Sequence, residues 1–401
     1  MSVPADFPKQ GLFRCSLENW CTAELAFDQW TFRITPIRLI LIGLTALAIC
    51  AVVARLVMGL GPVTNLNDAW PWGLWKWNIF TGVALAGGGY GTALIICILH
   101  NDRLKPVQRA TMLSSLIGYI LVVVYLFLEI GCWWNFWRPI FYWGYESVLF
   151  EVFVCISLYT IVQTLELCEV ITEKVFRIFH KFFVCIMPVL LCVGVMLPTL
   201  HQSSLGAIFL MMEGKLHGLW FSPLIFFFFL LSSFYVGPAM IAVESLLTRV
   251  AYKHVTPLPI LKTLARIGGY VMLVYLVVKF GDLAYHGKLS LLWEGSFESY
   301  AFWLEIGIGL VIPLFIVFTS LINYRGFIIL YGFLAVFGVM ANRMNVVITG
   351  MWTSAGVIYI PAVTEILISL GLITGGVLAY MFLCENFNIL GNETQGNESH
   401  E

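Results

Sequence analysis

Val195-Met-Leu-Pro-Thr-Leu-His201-Gln-Ser-Ser-Leu-Gly206 closes a hydrophobic segment that runs in from His180. A helix needs about 20 apolar residues to cross a bilayer. Here a proline, a histidine, a glutamine and two serines arrive where the chain should still be close to lipid. Such groups are costly there unless something satisfies or uses them. Two readings follow. Pro198 ends the helix and the polar run is an ordinary wet loop, or the run is a working site beneath the membrane surface.

Outward from this segment, apolar stretches of similar length recur. Ten spans are expected, at roughly 37–60, 73–99, 111–131, 147–170, 180–200, 222–248, 265–284, 299–322, 325–341 and 361–384. All should be helices, because an open strand edge has no partner in lipid. The fold class is therefore all-α, integral to a membrane. Composition agrees: 60% hydrophobic and 11% charged, with mean hydropathy +0.89, against ~45–50% and ~25% for a soluble domain. A net charge of −1 and the lack of a basic patch give no support to nucleic acid as a partner. Residues 1–36 are polar and lack the order of a cleaved signal. They read as a tail, followed by a transmembrane domain over 37–384 and a second tail over 385–401.

The ten cysteines form no Cys-x-x-Cys and no c-type haem motif, so the chain carries no recognisable Fe–S ligand set. The seven histidines fall at expected span ends, in loops or in the tail, which argues against a bis-histidine haem. No metal site is expected.

Lys and Arg set the orientation. The N-tail and the loops after spans 2, 4, 6 and 8, with their flanks, hold 15 of the 22 basic residues. The positive-inside rule makes that side the cytoplasm, with both termini inside. The opposite loops are rich in tryptophan instead: Trp70-Pro-Trp-Gly-Leu-Trp-Lys-Trp77, Cys132-Trp-Trp-Asn-Phe-Trp-Arg-Pro139, Leu219-Trp-Phe221, Leu292-Trp-Glu294 and Met351-Trp352. An aromatic belt explains part of this, and a docking face for another protein explains the lopsidedness. A faint repeat sets Ile117-Gly118, Tyr125-Leu126 and Gly131 against Ile267-Gly268, Tyr275-Leu276 and Gly281. Spans 2–5 and 6–9 would then be two four-helix bundles, with two flanking helices.

Ionisable residues gather near the outer ends of the spans: Glu129, Glu151, His201, Lys279, Asp282, His286, Glu305, Arg343 and Glu365. A charge at membrane depth costs roughly 2.5–3.5 kcal/mol on insertion scales, so several at one depth imply partners, a cavity or a proton path. Structural ion pairs, for example Asp282 with Arg343, are the plainer account. Buried acids and a histidine are also the groups that handle a quinone, which needs a donor for each carbonyl and takes up two protons with two electrons. His201 is the expected donor, with Asp282 and Glu305 for proton delivery. Glu166, Glu169 and Glu244 lie toward the other side, and with Glu129, Glu151, Arg343 and Glu365 they form a possible proton route; inner-interface snorkelling is the alternative for Glu166 and Glu169. Gly87-Gly-Gly-Tyr-Gly91 lies inside a span and follows no strand, so it is no phosphate loop. Small residues there admit a close helix or a flat ring.

Pro198-Thr-Leu-His-Gln-Ser-Ser-Leu-Gly206 resembles the matching stretch of the NrfD/polysulfide-reductase family, in the branch of Hyb-type membrane subunits of periplasm-facing NiFe hydrogenases. Pro71-Trp-Gly-Leu-Trp75, the span 2 glycines, Ser147-Val-Leu-Phe-Glu151, Lys279-Phe-Gly-Asp-Leu-Ala-Tyr285, Lys288-Leu-Ser-Leu291, Phe302-Trp-Leu-Glu305 and Glu365-Ile-Leu-Ile-Ser369 match as well. The resemblance implies a haem-free, ten-helix, menaquinone-reactive subunit of a bacterial inner-membrane complex. Beside it would sit a periplasmic four-cluster Fe–S subunit, fed by a multihaem cytochrome or by molybdopterin-type or hydrogenase subunits. It carries His201, Asp282 and Glu305 to the quinone-pocket region, with Trp75, Gly88 and Tyr90. Asp282 stands where Hyb-type sequences have Glu, and near Glu129 they have Asp. The quinone reductase complex of sulfate reducers is the nearest functional model in the family. A hydrogenase-linked subunit and a stand-alone transporter or proton channel are the alternatives.

Overall fold

The computed structural model describes residues 14–15, 23–27, 30–87, 90–91, 105–174, 177–387 and 389–390. Long helices dominate: α1 (Pro36–Met58), α2 (Leu74–Leu85), α3 (Lys105–Glu129), α4 (Val148–Lys174), α5 (Arg177–Ala207), α6 (Ile225–Tyr252), α7 (Leu258–Tyr285), α8 (Phe297–Phe318), α9 (Arg325–Val347) and α10 (Val363–Asn386). Among the described residues, every one of these except α2 is long and apolar enough to cross a membrane. This is a multi-pass integral membrane protein. Outward faces carry large apolar side chains such as Ile40, Val57, Val189 and Phe315, all exposed, as lipid contact requires.

The packing follows the repeat. Helices α2–α5 form one four-helix unit and α6–α9 a second, while α1 and α10 pair along the side. The units meet where α5 packs on α6 and α9 packs on α2, the arrangement a rotation of one unit onto the other would give. Small residues set the close crossings. A Cβ on Gly309 would stand 2.3 Å from Gly338 Cα, so α8 and α9 touch backbone to backbone. Gly309 lies in a π-helical turn, Gly307–Val311, that interrupts α8.

Several span ends differ from the expectation. Pro198 does not end α5, which runs on to Ala207 with Pro188 and Pro198 both inside it. Proline removes a hydrogen bond and hinders the preceding turn, but the hydroxyls of Thr199, Ser203 and Ser204 bond to carbonyls one turn back. The polar run is thus helical rather than a wet loop. Helix α9 continues past 341 to Val347, which places Asn342, Arg343 and Asn345 inside it. Helix α2 stops at Leu85, before the glycines, instead of continuing without a break.

Short strands lie within residues 1–36. Strands β1 (Arg14–Cys15), β2 (Ala23–Phe27) and β3 (Trp30–Ile34) form a small antiparallel sheet in which Phe27 pairs with Trp30. Alternating side chains suit a strand outside the membrane, a period masked by the mixed charge. Thr31 exchanges both backbone hydrogen bonds with the Asn386 side chain, and Trp30 stacks on Phe382. Arg38 pairs with Glu385. The first and last described segments therefore meet on one side.

Candidate functional site

Glu305 sits in the third turn of α8, buried. Its Oε1 accepts from Asn342 Nδ2 at 2.7 Å, and its Oε2 from Trp220 Nε1 at 2.9 Å and Asn345 Nδ2 at 2.8 Å. Three N–H donors from α9 and the α5–α6 connection thus hold one carboxylate, which offsets the loss of water. Two buried cations lie in the same unit. Arg343 donates to Asn342 Oδ1 and Ser232 Oγ, both at 2.6 Å, and its guanidinium stands 3.7 Å from the Phe229 ring centre. Asn342 therefore links Arg343 to Glu305 without a direct ion pair. Lys279, on α7, places Nζ 4.8 Å from the Phe228 ring centre, within the field of both Glu305 and Asp282. The expected Asp282–Arg343 pair does not form. Asp282 is met by His286 Nδ1 at 3.2 Å, one turn on, while Arg343 is turned toward α6.

His201 is fully buried in α5, where its Nε2 lies 2.6 Å from the Tyr119 hydroxyl. The Tyr119 ring packs edge-on against Tyr159. Tyr159 accepts from Gln163 Nε2 at 3.0 Å, and the same nitrogen reaches Ser115 Oγ at 2.6 Å. One turn further along α4, Glu166 lines a cavity of ≈ 200 Å³ with Gln108, Arg109 and Glu169. Tyr119, Tyr159 and Gln163 thus stand between His201 and this cavity, with ring packing rather than a hydrogen bond between the two tyrosines.

The structure does not bring His201 together with Asp282 and Glu305. No hydrogen bond among the described residues joins them. The side-chain hydrogen bond and ring contacts of His201 stay within α3–α5, and the side-chain hydrogen bonds of Glu305 within α9 and the α5–α6 connection. Where the units meet, Phe80, Phe209 and Phe229 pack with ring centroids 5.2–6.0 Å apart. Ionisable residues near the ends of spans in neighbouring bundles need not converge.

The other expected site residues are dispersed. Glu151 accepts from Ser204 Oγ at 2.6 Å, one turn beyond His201 on α5. Glu129 pairs with Lys76 at 2.8 Å, and Glu169 with Arg109 at 3.8 Å. Glu244 accepts from Tyr380 at 2.6 Å and lines a second, small cavity of ≈ 20 Å³. Glu365 accepts from the backbone of Asn65 and Ala362 and from Tyr359, which makes it a clamp on the start of α10. Burial, with the carboxylate beside it, raises the Tyr359 phenol above its ordinary pKa and keeps it a donor. Trp75 donates to the Glu365 carbonyl, and Tyr90 bonds Ser233 across the two units at 2.5 Å. Gly88 lies outside the described residues.

A family model described as polysulphide reductase, NrfD, matches residues 62–355, a stretch that contains both buried clusters. The chain belongs to the NrfD family. It is 30% identical over 86% of its length to the probable Ni/Fe-hydrogenase 2 b-type cytochrome subunit of Escherichia coli, and covers 90% of that protein. It is 31% identical, over 91% of its length, to a protein of Nitratidesulfovibrio vulgaris, 97% of which it covers. The menaquinone reductase integral membrane subunit of the same organism is 27% identical over 70% of this chain and 67% of its own. This NrfD chain is thus related to membrane subunits of hydrogenase and quinone reductase complexes.

Sequence reasoning missed the partners of the NrfD chain's buried ionisable groups, Trp220, Asn342, Asn345 and Tyr119, and beside Tyr119 the Tyr159–Gln163 pair. Gln163 is the sole amide side chain within α4, a signal that was available. The asparagines fell beyond a span drawn too short.

Proposed function

We propose that the chain is the haem-free, menaquinone-reactive membrane subunit of a periplasm-facing respiratory complex. Electrons come from an Fe–S partner on the tryptophan-rich side, itself supplied by a multihaem cytochrome or another redox subunit. The observation that carries this reading is the buried Glu305, held by three N–H donors and flanked by Lys279 and Arg343, in an NrfD chain. A quinone carbonyl that approaches this cluster finds donors, and Glu305 takes up each proton and passes it to the reduced oxygen. Asp282 serves the same end. His201, with Tyr119, Tyr159, Gln163 and Glu166, forms a proton line toward the opposite side, and Glu151, Glu169 and Glu244 lie beside it. This line would couple turnover to charge movement in the bacterial inner membrane.

The test is Glu305→Gln in the intact complex, assayed with 2,3-dimethyl-1,4-naphthoquinone. We expect a loss of about 10²–10⁴ in turnover, the usual contribution of a positioned acid or base, with partner subunits still co-purifying. Unchanged quinone kinetics would overturn the reading. The Escherichia coli relative favours a second reading, a hydrogenase membrane subunit; co-purification of a hydrogenase large subunit would select it. A stand-alone transporter or proton channel would instead purify alone and move solute without a redox partner.

A further inference from the structure

Helix α7 ends in a ladder of ionisable groups on one face: Lys279, Asp282 and His286, spaced i, i+3 and i+7. Burial falls along it. Lys279 is buried, the Asp282 side chain is 4% exposed, and the His286 side chain is 31% exposed. His286 Nδ1 faces Asp282 Oδ1 at 3.2 Å and the Asp282 carbonyl at 3.0 Å. Tyr285, almost fully exposed, packs edge-on against the imidazole and marks the rim. Below Asp282, the Lys279 ammonium stands in the field of Asp282, Glu305 and Lys288, and Lys288 is tied to the Phe221 carbonyl at 2.8 Å. An enclosed carboxylate thus has one partially wet neighbour, an imidazole with a second ring nitrogen beyond the one that faces Asp282.

We propose that His286 is the surface relay that passes protons from water to Asp282, and so to the quinone site of the preceding section, on which this inference rests. Each quinone takes two electrons from the Fe–S partner and two protons to become the quinol. For each proton, His286 takes up a proton from water at Nε2, the imidazolium gives up Nδ1–H to Asp282 Oδ1, and exchange with water returns the ring to the Nδ1–H tautomer. Asp282 then releases its proton to a quinone oxygen and returns to the carboxylate. The geometry also permits a purely structural role, since a histidine at a helix C-terminus can cap carbonyls and favour the dipole. The two roles respond differently to a diffusible base.

The experiment compares wild type, His286→Gln and Glu305→Gln in the purified complex, with reduced methyl viologen as donor and 2,3-dimethyl-1,4-naphthoquinone as acceptor. His286→Gln should reduce turnover about tenfold at low buffer concentration, and added imidazole should restore most of it. Full activity in His286→Gln would overturn the relay. So would a loss that imidazole does not relieve, which would make His286 a cap. If wild type turns over and Glu305→Gln does not, either of those results sinks the relay and leaves the quinone assignment standing. Failure of wild type to reduce the quinone removes both.

Discussion

His201 lies in a helix interior, two turns from the end of α5 and three residues after a proline, with Tyr119 at 2.6 Å as its side-chain partner. A buried polar atom that loses its partner costs about 1–3 kcal/mol. Tyr119→Phe keeps the ring packing against Tyr159 and removes only the hydroxyl. It should therefore lower the thermal midpoint of the detergent-solubilised protein, with a loss near that range, while Tyr145→Phe, at an exposed position, should leave it unchanged. Equal midpoints for the two variants would show that the His201 contact contributes nothing. At this scale the sequence revealed which residues are expensive, because charge and histidine stand out against 60% apolar background. It concealed what satisfies them. Tyrosine and asparagine stand out little against the apolar background, yet Tyr119, Asn342 and Asn345 make the contacts that keep His201 and Glu305 in the bundle.

Helix length was legible and helix ends were not. A window of apolar residues registers lipid, and α3–α9 emerge from it near their true positions. Ends depend on how polar groups are paired by tertiary contacts, which is why α5 outlasts Pro198 and α9 outlasts residue 341. The crossing of α8 and α9 was similarly hidden. Its glycines look like any others until Gly309 and Gly338 meet, where a Cβ on Gly338 would come within 2.4 Å of Gly309 Cα. The contact is backbone on backbone, so no side chain can yield. Gly338→Ala must force the helices apart, and overpacking of this kind typically costs about 1–3 kcal/mol. The same shift moves Asn342 and Asn345 off Glu305, since they follow Gly338 by about one and two turns on α9. The variant should lose stability and quinone turnover together, as read by thermal unfolding and the naphthoquinone assay. Normal turnover in a destabilised protein would separate the crossing from the site.

At the scale of the molecule, a duplicated bundle gives two interiors with different contents. Glu151, in the first turn of α4, and Glu305, in the third turn of α8, correspond in the repeat, yet one binds a serine and the other three nitrogen donors. Glu129 of α3 likewise matches Lys279 of α7, an exchange of sign that leaves the second unit richer in buried cations. The proposed quinone site lies in that unit, and the proposed line from His201 in the first. Such a division has direction only if the membrane sides are assigned. The two ends of the described chain meet through Thr31, Asn386, Arg38 and Glu385, so they share a side. The Trp293–Glu294 loop, beside His286, belongs to the other. The excess of basic residues near the termini predicts a cytoplasmic location for them. A fluorescent protein fused after Glu401 should therefore fluoresce, and alkaline phosphatase fused after Glu294, with the downstream chain omitted, should be active, because it folds only outside the cytoplasm. The reverse pattern would place Glu305, Asp282 and His286 near the cytoplasm, and electrons and protons for the quinone would then have to arrive from inside.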